Sequence, residues 1–217
     1  MDVIIVSYAI DDKFRAMTQQ AIDTCGCNVV VIEQNKKVNY NVKTLHYDFR
    51  FNYHKCLNLG LKECSGYVAL CNNDLRFTEG WDQKLINVLE LGFDTVCPFC
   101  PASHPRWGFE QGDHYYEGFQ VGHEFIGWCI AGKKELFKEV PLNENIEFWY
   151  SDNYYAKALQ VAKKKHALVA NSVVEHLNLG SKTIYAVDKS TMTYLTRGQK
   201  AKFNKETRKL YAKGKRI

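Results

Sequence analysis

The chain predicts an α/β fold: an open, mostly parallel, Rossmann-like sheet with helices on both faces, built as a single domain. Three observations carry this. Short apolar, β-branched runs alternate with segments of helical spacing from the first residues onward. The runs are continuous rather than alternating, as strands covered on both faces require. Polar clusters recur where the runs end, at Ser7-Tyr8, Glu33-Gln34-Asn35 and Asn72-Asn73-Asp74, and open α/β sheets hold their ligands beyond the carboxyl ends of the strands.

The elements follow in order. "VIIVSYA" (3–9) is the first strand. "DDKFRAMTQQAIDTC" (11–25) places Phe14, Met17, Ala21 and Ile22 at helical spacing, with Asp11 or Asp12 as its cap. "NVVVIEQN" (28–35) is a second buried strand, and a polar connection follows it. "NYHKCLNLGLKECSG" (52–66) reads as a helix stopped by Gly66, and "YVALCNND" (67–74) as the third strand. "WDQKLINVLELG" (81–92) is a helix ended by Gly92, and "DTVCPF" (94–99) a fourth strand. Residues 102–124 are rich in glycine, histidine and aromatics without a period, which predicts a binding loop or lid. There Trp107, Tyr115, Tyr116 and Phe119 either form the loop's own small core or stack on a sugar or base. "FIGWCIAGKKELFKEV" (125–140) predicts a strand and a short helix, with Trp128 and Trp149 read as packing residues. A helix opening at Ser151 or Asp152 and a late strand over 166–177 complete the pattern.

Composition excludes several classes. At 217 residues, 46% hydrophobic and 24% charged, the chain can bury a real core and is not compositionally disordered. No apolar run approaches the roughly 20 residues that span a bilayer. The opening residues carry no basic stretch before a longer apolar one, so the expected location is cytoplasmic and the eight cysteines are expected to stay reduced. Cys97 and Cys100, with His104 nearby, offer one pair for zinc but lack a second pair at similar spacing. Charge is uneven. Residues 197–217 hold nine basic side chains against Glu206 alone, a net +8, so the other 196 residues carry −3 of the overall +5. The expected layout is therefore a domain over 1–196, whose character changes after residue 100, and a basic tail at 197–217. Such a tail suits an anionic surface or DNA, or serves as a solvated helical end.

An aspartate at the end of a buried strand, flanked by amides, is a good ligand for Mg²⁺ or Mn²⁺ when a substrate diphosphate completes the coordination. At this point the residues reach a resemblance. "SGYVALCNNDLRFTEGWDQKL" (65–85), with "NLG" (58–60) upstream, resembles the nucleotide-sugar segment of the family 2 glycosyltransferases, which have the GT-A fold. "VIIVSY" and "VVVIEQN" resemble that family's first two strands, 125–140 its acceptor-side strand and helix, "FWYSDNYYAKAL" its Glu-Asp helix, and "VVEHLNLGS" (173–181) its late His-x(3)-Gly-Ser segment.

The resemblance implies an inverting, metal-dependent transfer from a nucleoside-diphosphate sugar to an acceptor hydroxyl, with a nucleotide-sugar-binding half over 1–100 and an acceptor half over 101–196. Asp74 and His176 are implied as contacts to the divalent cation, with Asn72 and Asn73 near ribose or phosphate. Ser7 and Tyr8 are implied to line the base pocket, Glu33 to bond the base, Asn58 to sit on the helix below, and Asp152 to act as general base. Ser151 and Tyr154 stand where the family carries further acids, and Asn72 replaces a second metal carboxylate. The acceptor is a glycan intermediate or a hydroxylated DNA base. A nucleotidyltransferase shares the sheet and the carboxylate, although "SYAIDDKF" lacks the glycine-rich loop such enzymes use. A non-catalytic module that binds sugar or nucleic acid on the same scaffold is the third alternative.

Overall fold

The computed structural model describes residues 1–177, 193 and 197–214. Among them, nine strands form a mixed, mostly parallel sheet with helices on both faces, an α/β architecture. The elements are β1 (Asp2–Ser7), α1 (Asp12–Cys25), β2 (Asn28–Glu33), β3 (Lys43–His46), α2 (Tyr53–Leu61), β4 (Tyr67–Asn72), β5 (Leu75–Phe77), α3 (Trp81–Glu90), β6 (Thr95–Phe99), β7 (Tyr115–Glu117), β8 (Cys129–Lys133), α4 (Lys134–Glu139), α5 (Ser151–Val161), β9 (His166–His176) and α6 (Gln199–Gly214).

The strand order is β3-β2-β1-β4-β8-β6-β9-β5, with β7 on β9. β1 pairs in parallel with β2 and β4, β2 with β3, and β6 with β9. β8 runs against both β4 and β6. β1, β2, β4, β6 and β9 therefore finish on one edge of the sheet, and β8 starts from it.

Continuous apolar strands divide their residues between two layers. Ile4, Val6, Val30 and Ile32 pack under α2, α4 and α5 with Leu57, Phe137 and Leu159. Val3, Ile5, Val29 and Val31 face the other way, against Ala21 and Cys25 of α1 and Trp81 and Leu85 of α3. The period of two along each strand sends neighbours to opposite faces, so both helical layers need an apolar residue at every position.

Local chemistry sets the boundaries. Asp11 caps α1 by accepting the Phe14 amide at 3.0 Å, and Asn52 caps α2 through Lys55 at 2.9 Å. α2 stops at Leu61, short of the Gly66 expected, and the Ser65 amide bonds Asp2 at 2.7 Å instead of continuing the helix. The polar connection after β2 contains an edge strand, β3, whose exposed and half-buried residues give no apolar signal. Residues 102–124 hold a single 3-10 turn (His104–Trp107) and β7, joined by a small aromatic network: Trp107 on His123, Phe109 on Tyr116 and Phe119 on Phe125.

The basic segment also differs from a simple tail. α6 packs Phe203 and Leu210 against the core and buries Gln199 and Glu206. Lys202 pairs with Glu147, Glu206 accepts from Asn143 at 3.2 Å and Asn145 at 3.3 Å, and Phe203 stacks on Tyr150. Among the described residues, no helix is long and apolar enough to cross a membrane.

Candidate active site

The carboxyl edge of the sheet gathers residues that are far apart in the chain. β4 ends at Asn72; Asn73 and Asp74 turn the chain into β5, which pairs with the far end of β9 so that Leu75 lies opposite His176. The Leu177 amide bonds the Asp74 carbonyl at 2.9 Å. This ladder brings the His176 Nε2 to 3.2 Å from the Asp74 Oδ1. Asp74 is fully buried (0% exposed). Trp128, immediately before β8, stacks on His176 with ring centres 5.0 Å apart, and its carbonyl accepts the Asn72 amide at 2.9 Å.

Asp152 lies near enough for its charge to act on Tyr53, as the charge of Asp74 does. Tyr150, in a left-handed conformation (φ 68°), is the N-cap of α5, and Asp152 lies in the first turn, so it is not the helix cap. Its Oδ1 accepts the Asn153 amide at 2.7 Å. Burial raises the Asp152 carboxyl above the ordinary aspartate range, opposed by that amide. Gly127 allows the approach, because a Cβ there would lie 2.7 Å from the Asp152 Cβ.

Tyr53 borders the Asn72 end of β4. Its hydroxyl donates to Asn72 Oδ1 at 2.9 Å. Burial holds that phenol protonated well above its ordinary pKa, and the charges of Asp74 and Asp152 act in the same direction. The sequence does not mark Tyr53 or Gly127, and it marks Trp128 only as a packing residue. A tyrosine at the start of an amphipathic helix and a glycine before a strand carry no signal until the fold aligns them.

The other implied residues form a neighbouring cluster. Ser7 Oγ lies 2.8 Å from Thr18 Oγ1, and the Asn73 amide donates to the same threonine at 3.0 Å. Glu33 is fully buried: Oε1 accepts the amides of Ala9 (3.0 Å) and Asn35 (2.8 Å), and Oε2 accepts the Tyr40 hydroxyl at 3.2 Å. It therefore shapes the turns after β1 and β2, bringing Tyr8 with it. Asn58 is occupied elsewhere, bonding Leu142 and Glu144 on the far side of α2. The Gly180-Ser181 pair that follows His176 lies outside the described residues. Cys97 turns its thiol to the Ile126 carbonyl, while the Cys100 amide donates to His104. Among the described residues, no group of three or more His, Cys, Asp or Glu is arranged to hold a metal.

The Asp74–His176 pair fits a divalent cation shared with a substrate. Two ligands at about 2.1 Å and at right angles to each other lie about 3.0 Å apart, close to the 3.2 Å between the Nε2 and Oδ1. Two protein ligands alone make a weak site, so phosphate oxygens would complete it.

No protein-family model matches this chain, and a search of curated proteins returns no match.

Proposed function

We propose that this chain is an inverting, metal-dependent glycosyltransferase of the GT-A type, using a nucleoside-diphosphate sugar. The observation that carries the reading is the meeting of Asp74 with His176 at 3.2 Å on the carboxyl edge, with the charges of Asp74 and Asp152 both reaching Tyr53. Asp74 and His176 would hold Mn²⁺ or Mg²⁺ against the diphosphate, and the cation supplies charge neutralisation to the leaving group. Asn72 and Asn73 flank the phosphates, and Ser7, Tyr8 and the Glu33-braced turns line the nucleoside side.

Asp152 takes the proton of the acceptor hydroxyl. As the acceptor oxygen bonds to the anomeric carbon, the bond from that carbon to the diphosphate oxygen breaks, the diphosphate leaves with the electron pair, and the proton ends on Asp152. A carboxyl raised by burial is a better base than an exposed one, because its proton affinity lies nearer the working pH.

The test is a thermal-shift screen of nucleoside diphosphates with and without Mn²⁺. One base is expected to raise the melting temperature by about 5–10 °C at a hundredfold excess over Kd, and Asp74→Asn is expected to remove the Mn²⁺-dependent part. If no nucleoside diphosphate stabilises the protein with Mn²⁺, or if Asp74→Asn responds as wild type does, the proposal is rejected.

A further inference from the structure

The proposed transfer leaves the outer face of α6 unused. The inner face is consumed by docking: Phe203 and Leu210 against the core, Gln199 and Glu206 buried, Lys202 on Glu147. On the outer face Lys200, Asn204, Arg208 and Tyr211 follow at intervals of four, four and three residues, with Lys205 beside them, and all five are exposed. They span about 16 Å along the helix axis. Among the described residues Arg197, Lys200, Lys205 and Arg208 form no ion pair, and Glu206, the helix's sole acid, is turned inward. The face is a row of unbalanced cations ending in an exposed aromatic, since Tyr211 is 44% exposed.

The amino end of the row lies beside the segment that enters α5. Near its amino end, α6 touches the loop before α5 through the Lys202–Glu147 pair and the Phe203–Tyr150 stack, with ring centres 5.4 Å apart. Trp149 stands between Glu147 and Tyr150 in the chain, 37% exposed and edge-on to Phe148. Asp152 follows three residues later. Cations at intervals with aromatics that offer a bare ring face are how proteins bind single strands: phosphates meet the charges and bases stack on the rings. A duplex would hide its base faces. A bilayer surface would need the apolar side of α6 to insert, and that side is already packed against the domain.

We propose that a single-stranded polynucleotide binds along the outer face of α6, its phosphates against Lys200, Lys205 and Arg208 and a base on Trp149, which brings an adjoining nucleotide to Asp152. Its use as the acceptor rests on the transferase reading above; the binding itself does not.

The test is fluorescence anisotropy of the full chain with a labelled oligo(dT) of about 20 nucleotides, beside a duplex of equal length and vesicles containing phosphatidylserine. The oligo(dT) is expected to bind most tightly. Three neutralised phosphates give a log–log salt slope of about −2, so affinity falls about 15-fold between about 50 and 200 mM salt. The K200E/K205E/R208E variant is expected to lose binding at least tenfold with an unchanged melting temperature, and Trp149→Ala to lose about tenfold. Undetectable oligo(dT) binding, equal binding by the triple variant, or stronger retention on duplex or vesicles overturns the proposal. If nucleoside diphosphates with Mn²⁺ fail to stabilise the protein while the triple variant still loses oligo(dT), the transferase reading falls and the strand-binding face stands.

Discussion

Gly127→Ala is the sharpest probe of the Asp152 role. The added methyl would lie 2.7 Å from the Asp152 Cβ, 3.0 Å from its Oδ2 and 3.2 Å from its Cγ. Ordinary contact begins near 3.4 Å, so the first turn of α5 must move by several tenths of an ångström. That turn follows Tyr150 in its left-handed conformation, held by the Phe203 ring, and has little room to adjust. Overpacking of this size costs about 1–3 kcal/mol. For a chain of this length the melting temperature falls about 2–4 °C for each kcal/mol. Gly60→Ala is the control, because its Cβ would meet Ile4 at 2.6 Å, away from the carboxyl edge; its clash is offset by about 1 kcal/mol of helix propensity. The assay is Mn²⁺-dependent release of nucleoside diphosphate from a panel of nucleotide sugars, measured beside thermal melts. Gly127→Ala is expected to lose turnover at least tenfold, because a small displacement of a catalytic group is costly, and to keep nucleotide binding. Gly60→Ala is expected to change stability alone. Wild-type turnover in a destabilised Gly127→Ala protein would remove Asp152 from the chemistry, and an unchanged melting temperature would refute the contact itself.

Asp152→Asn is expected to cut turnover by about 10²–10⁴ while stabilising the fold. A carboxyl raised by burial weakens the native state above its folded pKa, so the stability gain of the variant appears as pH rises past 3.8, which melts across pH would follow. His176→Ala is expected to abolish the Mn²⁺-dependent nucleotide shift and leave the metal-free melting temperature within a few degrees, read by the same thermal assay. Burial lowers His54 and His166 from 6.5 to about 4. Their contribution is intact above pH 6.5 and is lost as pH falls toward 4, up to about 3 kcal/mol each, visible as proton uptake on acid unfolding. Burial pushes Glu147 and Glu206 up, but hydrogen bonds outweigh it, from Lys202 and Gln199 to the first and from Lys209, Asn143 and Asn145 to the second. Both therefore titrate below 4.5. The docking of α6 is expected to weaken as pH drops through those values, and hydrogen exchange in α6 should rise in acid and rise less in Glu206→Gln than in wild type.

Strand and helix order was legible because it rests on local rules: period two or 3.6 in apolar residues, Asp11 as a cap, polar residues where buried strands emerge. Those rules act within a turn or two of chain and leave their mark in neighbouring letters. The same rules placed Asn72, Asn73 and Asp74 at a strand end. They could not give Asp74 its partner: only the family resemblance set it beside His176, which reaches it through the β5–β9 ladder, across 102 positions of chain. Nor could they separate Glu33, whose carboxylate braces two turns, from Asp152, which faces the carboxyl edge; both are acids at the end of an element. Asn58 and the basic segment repeat the point, since a helix surface has several sides and packing selects which one turns inward. Composition and spacing thus decided which elements form and where each stops. Long-range pairing, which carries no local signature, decided which side chains meet, and the proposed chemistry of this chain depends on those meetings.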